Sequence, residues 1–446
     1  MRSSTDFELE IQLILELALR TKTLIMREGQ IKVLYLTLSE NTWKEILAVK
    51  SLRTMFTKDQ RLDVTVIDGR QKLPDWVSKE DFHLVILSAQ FLCARYSTSL
   101  IQQLREKFEF MPKSRALKIA MPQDDYDCST ILDLWLFDWK VDIIYSICPK
   151  NWELLYPLCS KTCTLRLGFT GYISNEMIVP LEERKKWIER TVDVVYRARK
   201  LGYNFGELGQ LKAQAPNWLA KATKDIDSLK LDIQIGEEHF VLGTNWCNFL
   251  ESSKFVLVSP GGSSTIDFKG DLRELSRETS NLDLSITDFF QLAEQRKGQW
   301  KAIDNTMISP RNIEAALVGS VQIAIINEYS NIFLPNIDYI PLHLDRSLNQ
   351  SLKDEANWDS MRKSAYDKIL SEDRLREQTV INEIFNDLGD ELCYKEITKV
   401  SFLKRFNLGV QSKKRRAFVA CTVFRGKTEN FLVMRFLVKL LRYLKS

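Results

Sequence analysis

KFVLVSPGGSSTIDFKG, residues 254–270, and ISPRNIEAALVGSVQIAIINEYSNIFLPNIDYIPL, residues 308–342, decide the reading of this chain. Two short, mainly apolar runs, Lys254–Ser259 and Val321–Ile326, have the composition of buried parallel strands. The first breaks at Pro260 into Gly261-Gly262-Ser263-Ser264. Glycines at a strand exit let the backbone come close to a ligand, and hydroxyls and free N–H groups suit phosphate oxygens. Between the strands, Ser309 has the chemistry of an N-cap and Pro310 that of a first helical residue. The helix predicted there carries Arg311 and Glu314 in its first turn. A cation for phosphate and a carboxylate for sugar hydroxyls would then share one crevice.

Upstream, the runs Lys32–Leu38, Asp63–Ile67, His83–Ser88, Leu117–Met121 and Val141–Ser146 are short and aliphatic, and helical segments such as Thr98–Lys107 and Cys128–Trp139 separate most of them. Alternating strands and helices predict an open, mostly parallel sheet with helices on both faces. No G-x-G-x-x-G follows the first strand, so a dinucleotide fingerprint is missing. A second series starts with Val192–Tyr196 and leaves through Arg197-Ala198-Arg199-Lys200 into a segment with Gly202, Gly206 and Gly209. A helix is predicted from Lys212, a strand at Leu231–Ile235 and a short helix at Trp246–Leu250. After Leu344 the pattern turns to charged helices: Glu355–Leu370, Ser371–Asp387 and Glu391–Arg405.

SPRNIEAALVGS at 309–320, followed by NEYSNIFLPNIDYIPL at 327–342, resembles the nucleotide-sugar half of bacterial GT-B glycosyltransferases, and more narrowly the CgeB-like (spore-protein-like) group found in surface-polysaccharide clusters. KIAMPQDDYD at 118–127, FDWKVDIIYSICPKNWELLYP at 137–157 and RLGFTGYIS at 166–174 are similar to the other half of that group. The likeness spans roughly residues 30 to 345. It implies an α/β, GT-B chain: two Rossmann-like doubly wound domains facing a cleft, with C-terminal helices that return to the first domain. The expected division is an acceptor-side domain over 1–180, a nucleotide-sugar domain over 181–345 and a helical extension over 346–446. The resemblance puts Arg197 and Lys212 near the diphosphate, gives Glu314 the ribose hydroxyls, and uses Glu328 and Tyr329 to close the crevice. The chain departs from the group at Val258-Ser259-Pro260 and Ile313, where relatives carry Gly-Thr-Glu-like and Phe residues.

Such an enzyme must stabilise a departing nucleotide diphosphate, so cations and fixed N–H groups aimed at the leaving group matter most. The candidates are Arg197, Lys212, the backbone of Gly261, Gly262, Ser263 and Ser264, and Arg311. Arginine grips two phosphate oxygens at once and lysine supplies a point charge. A carboxylate such as Glu314 accepts two hydroxyl protons, which fits a vicinal diol. Asp267 is expected either to fix the loop or to touch ligand. A catalytic base, in an inverting route, must reach the acceptor from the first domain. Asp124 and Asp125, just past the strand Leu117–Met121, are placed for it. Asp125-Tyr126-Asp127 imitates a D-x-D metal motif, but that motif belongs to a different architecture, so no metal or other cofactor is expected. His83, His239 and His343 lie far apart in sequence and are expected to be structural.

Composition sets the outer bounds. A chain of 446 residues with 45% apolar content fits two or three domains. The formal charge of +4 is too small for a general polyanion binder, and nucleic acid is not expected as a partner. The eight cysteines include no C-x-x-C pair and suit reduced thiols in a cytoplasmic protein. Phe7–Glu28 reads as an acidic amphipathic helix rather than a signal peptide, and no stretch reaches the roughly 20 apolar residues of a membrane span. From Lys404 onward Glu429 is the one acid among many cations, and 430–446 forms a basic amphipathic pattern suited to the inner membrane surface. The expectation is therefore a metal-independent transferase moving a sugar from a nucleotide diphosphate to a saccharide acceptor, one that could be lipid-linked, in surface-polysaccharide assembly. The alternatives are a nucleotide-sugar epimerase of the same fold and a non-catalytic partner in a glycan-assembly complex.

Overall fold

The computed structural model describes residues 30–38 and 47–389. The chain divides into two compact units. One is Ile31–Ile381. The other combines Met1–Gln30 with Asn382–Ser446, and only Gln30 and the helical residues 382–389 of it are described. The helices expected at Phe7–Glu28 and Glu391–Arg405 and the basic segment 430–446 lie outside the described residues. Among the described residues no helix is long and apolar enough to cross a membrane.

The first half of the large unit runs β1 (Ile31–Thr37), α1 (Leu47–Lys58), β2 (Leu62–Asp68), β3 (Leu84–Leu87), α2 (Thr98–Lys107), β4 (Leu117–Ala120), α3 (Ser129–Asp138), β5 (Ile143–Ser146) and β6 (Thr164–Leu167). The strands form one parallel sheet in the order β2-β1-β3-β4-β5-β6. Every residue of β3, β4 and β5 is buried, as strands covered on both faces must be. The second half runs β7 (Val192–Ala198), α4 (Gly206–Ala222), β8 (Leu231–Ile235), α5 (Thr244–Glu251), β9 (Ser253–Val258), β10 (Gly261–Asp267), α6 (Asp271–Glu278), α7 (Ile286–Gln295), β11 (Trp300–Met307), α8 (Pro310–Leu317), β12 (Val321–Ile325), β13 (Tyr339–Leu342) and α9 (Glu355–Ser371). Five of its strands make a second parallel sheet, β13-β12-β9-β7-β8. Two Rossmann-like sheets in one chain, followed by a C-terminal helix, give the GT-B layout that the sequence led us to expect.

Each sheet reverses its direction of growth once, between β1 and β3 in the first and between β7 and β9 in the second. The carboxyl ends of strands at such a reversal are where open α/β sheets take ligands. The predicted strands appear within two residues of their expected limits at either end. The helix predicted from Lys212 begins earlier, at Gly206. From α9 onward the chain returns to the first half, as expected of the terminal helices. Ile173 donates its N–H to Leu375 O at 2.7 Å, and Tyr366 donates its hydroxyl to Val179 O at 3.0 Å.

The glycine stretch is the main correction. Gly261–Asp267 is a strand, paired antiparallel with β11 from Gly261↔Met307 to Asp267↔Trp300. It is not an open loop at a strand exit. Pro260 follows the end of β9, and the chain then resumes extended structure instead of turning into a helix. This hairpin reaches into the other half: Ile266 and Met307 belong to the core formed by Leu87, Tyr126 and Trp135. A bridge between Asp127 and Asp267 continues the contact, with Asp267 N–H donating to Tyr126 O at 2.9 Å.

Candidate functional site

Past the carboxyl end of β7 the chain turns through residues 203–205 into α4, and the GGSST string holds that turn down. The ladder between β10 and β11 shifts register between Ser263 and Thr265, so Ser264 sits at an irregularity of the pairing. Its Oγ accepts the Leu208 N–H at 2.8 Å, one of the orphan donors of a helix start. Ser263 Oγ donates to Phe205 O at 3.1 Å, and Thr265 Oγ1 donates to Asn204 O at 2.5 Å. Gly262 has φ +101°, and a Cβ there would collide with Asn305 O. These groups anchor backbone. Ser263 is fully buried, which corrects its expected place against phosphate. The same correction covers Gly261, Gly262 and Ser264, whose backbone lies in the hairpin and not in a free loop.

What the anchored helix presents is Lys212. Among the described residues its ammonium has no hydrogen-bond or ion-pair partner. Burial depresses its pKa, and the nearby Arg311 and Arg199 press in the same direction, while the Asp124 carboxylate opposes them. Lys212 is held from behind by Tyr196, whose hydroxyl donates to Lys212 O at 2.8 Å. Arg311, the second residue of α8, lays its guanidinium over the Tyr196 ring, 4.8 Å from the centroid. One Arg311 amino group donates to Arg197 O, and its buried Nε has no acceptor among the described residues. Arg197 itself is committed elsewhere. It donates to Asp232 Oδ1 at 2.7 Å and to three backbone carbonyls, and it stacks on Phe249 at 4.4 Å. Its expected reach toward a diphosphate is therefore spent within its own sheet.

α8 starts as the sequence predicts. Asn312 Oδ1 accepts from both the N–H and the hydroxyl of Ser309, at 3.0 and 2.8 Å. Glu314, one turn on, is 7% exposed. Trp246 Nε1 donates to its Oε2 at 2.7 Å. Burial raises the Glu314 pKa, and the Trp246 bond and the Arg311 charge work against that rise. Glu314 lines a small pocket between the two halves, with Pro310 and Ile313 on its own helix and Ser51, Tyr172 and Met177 from the first half. Gly262 is not among the lining residues.

From the first half comes the loop after β4, shaped by Arg95. This 1%-exposed arginine donates to the carbonyls of Gln123, Asp124 and Asp127 at 2.7–2.8 Å. Asp124 sits in left-handed backbone, φ 49°, accepts the Tyr126 hydroxyl at 2.5 Å, and remains partly exposed. Asp125 does not face the cleft. It is fully buried and accepts from Ser146, Tyr156 and Cys148 at 2.6, 2.7 and 3.1 Å. Asp125 is thus a core carboxylate, which corrects its expected role as base. Asp127 turns another way, to Arg273 of the second half. The D-x-D imitation therefore splits its two acids between a core and an interface.

Glu328 pairs with Lys150 of the first half at 2.7 Å, and both side chains are exposed. Tyr329 is fully buried, its hydroxyl donating to Ile325 O and its ring edge-on to Tyr339. It closes a core rather than a crevice. Asp267 takes the loop-fixing alternative, accepting the N–H groups of Gly270 and Arg273 at 2.8 and 2.9 Å. Of the expected residues, the structure gathers Lys212, Arg311 and Asp124 within electrostatic reach and sets Glu314 beside Arg311.

The chain is similar to several solved structures. Anabaena Alr3699/HepE in complex with UDP and glucose shares 10% identity at a TM-score of 0.46, over 81% of this chain and 100% of that one. AviGT4, a glycosyltransferase involved in avilamycin A biosynthesis, shares 11% at 0.41, over 81% and 98%. TarM shares 11% at 0.39 over 69% of this chain, which spans about half of TarM (54%). No family model and no curated protein matches the sequence.

Three residues of the site escape sequence reasoning: Trp246, Arg95 and Arg273. Arg95 carries a signal, since a single cation inside FLCARY, residues 91–96, is bracketed by apolar neighbours and so points to a buried arginine. Trp246 and Arg273 carry none. Their importance lies in partners 68 and 146 residues away.

Proposed function

We propose that this protein is a glycosyltransferase that moves a sugar from a nucleotide-diphosphate donor to a saccharide acceptor, of the CgeB-like kind and in the assembly of surface polysaccharide. One observation carries the reading. Beside the reversal point of the second sheet, Lys212 offers an ammonium with no partner among the described residues, next to the incompletely bonded Arg311, and the acid Glu314 stands one turn along the helix of Arg311. A desolvated cation pair suits the charge that grows on a departing diphosphate. A buried carboxylate with one oxygen that takes no donor among the described residues suits a ribose diol. Asp124, within electrostatic reach of this cluster from the other half, is the group we assign to take the acceptor proton. No step in this scheme needs more than these side chains.

The test is a thermal-shift screen against UDP-, GDP-, dTDP- and CDP-sugars, repeated with Glu314→Ala and Lys212→Met. A donor at a hundredfold over its Kd should stabilise the native protein by about 2.7 kcal/mol. The wild type should respond to one nucleotide class and both variants should lose the response. Release of free nucleotide only when an acceptor saccharide is present would then separate transfer from epimerisation, and binding without any turnover would point to a non-catalytic partner.

A further inference from the structure

Glu314 is held by a residue on a different helix. Trp246, in α5, donates its indole N–H to Oε2 at 2.7 Å, and Oε1 has no donor among the described residues. The indole is itself fixed: it stacks on Phe249 at 5.5 Å and 27°, and the Arg311 guanidinium lies over it at 5.9 Å. A carboxylate this deeply buried has two ways to lower its energy: it takes a proton, or it is held by a donor. The indole supplies the donor and restrains the rotation of the carboxylate. Glu314 lines the pocket with Tyr172 and Met177, so the second oxygen is what it has left to offer a ligand there. Among the described residues, the other titratable and charged groups that face Glu314 are Arg311 on its own helix, Cys247 on α5 and Tyr172 across the pocket.

We infer that Trp246 is a positioning residue of the donor site: it holds one oxygen of Glu314 so that the other is presented, as a carboxylate, to the ribose hydroxyls of a nucleoside diphosphate. The inference rests on the donor-site reading above, yet its first readout does not need a ligand. In the free protein, the Glu314 carboxyl is followed by 13C NMR and assigned with Glu314→Gln. Trp246→Phe keeps an aromatic ring and removes the donor, so the Glu314 midpoint should move upward. Trp246→His, which keeps an N–H, should move it less. An unchanged midpoint in Trp246→Phe overturns the inference.

The second readout is calorimetric affinity for UDP, GDP, dTDP and CDP at pH 6 and pH 8. Loss of one charge-assisted hydrogen bond corresponds to roughly a tenfold loss of affinity. Trp246→Phe should therefore bind the preferred diphosphate about tenfold more weakly at pH 6, with a smaller deficit at pH 8, where Glu314 is more fully ionised. Equal loss at both pH values would mean a merely structural role and would sink the idea. If the midpoint moves but the wild type binds none of the four diphosphates, the donor-site reading is what fails, and the inference goes with it.

Discussion

Asp127 in the first half and Arg273 in the second form an ion pair, and both are drawn into one network with Tyr96. The Tyr96 ring is covered by the Arg273 guanidinium at 3.8 Å and by that of Arg95 at 4.3 Å. The Asp127 side chain is almost wholly buried, so removing its partner strands a charge in a poor solvent. Arg273→Gln should cost about 3 kcal/mol, the lower end for a broken buried pair because Arg273 keeps some exposure. Lys150→Gln, which breaks the exposed pair with Glu328, should cost less than about 1 kcal/mol. Urea denaturation of both variants checks the contrast, and equal effects would refute it.

Gly262 tests the corrected role of the glycine string. Alanine there meets both a positive φ and the carbonyl of Asn305. Gly262→Ala should destabilise by about 1–3 kcal/mol from backbone strain, with the collision against Asn305 O adding to that. At Gly261 the nearest atom to an added Cβ is the flexible Met307 Cγ at 3.1 Å, so Gly261→Ala should be much milder. Melting temperatures of the two variants decide the matter.

Lys212 should trade stability against binding. A lysine whose pKa is depressed on folding binds fewer protons in the native state between its folded value and its unfolded one. Stability therefore rises with pH across that window, and the charged form costs stability below it. Lys212→Met should stabilise the fold modestly while abolishing the nucleotide response. A variant that loses both would show that the ammonium has a structural partner after all.

Neighbouring aspartates should separate cleanly. Asp124→Asn leaves the fold intact and lowers turnover about 100-fold to 10,000-fold, the usual range for loss of a general base. Asp125→Asn instead disturbs a buried acceptor of three donors and lowers the melting temperature. Turnover and melting measured side by side would expose an exchange of roles.

Asp267 supplies the pH dependence. Burial pushes its pKa up to about 6, and the Asp127 charge adds to the rise. The native state then holds a proton that the unfolded chain releases near pH 4, so this group's contribution to stability falls as pH rises from about 4 to about 6. Asp267→Asn should flatten that part of the stability profile in urea titrations from pH 4 to pH 7. An unaltered slope would assign it to other carboxyls.

The fold is legible because its signals are local. Runs such as LVIL at 84–87 and VQIAI at 321–325 announce buried parallel strands by composition alone, and Ser309-Pro310 announces a helix start. The candidate site is half legible. Arg311 and Glu314 follow from the helix start at Ser309-Pro310, which this topology sets at the sheet edge, whereas Lys212 is pointed to by the family resemblance alone. GGSST misleads because its residue types fit two structures, a phosphate loop and an irregular strand. The choice between them is made by β11, a partner that lies beyond two intervening helices and carries no mark of the pairing in its own sequence. Asp124 and Asp125 look alike in sequence, yet the left-handed backbone at Asp124 and the buried donors around Asp125 send them to different surroundings.

The bridge between Asp127 and Asp267 bears on how the protein is made. During synthesis the first half leaves the ribosome before residues 261–307 exist, so its core must wait for Ile266 and Met307 to fill it. A message truncated between the halves would accordingly yield a nascent chain with an open apolar seam, a natural target for chaperones until the hairpin emerges.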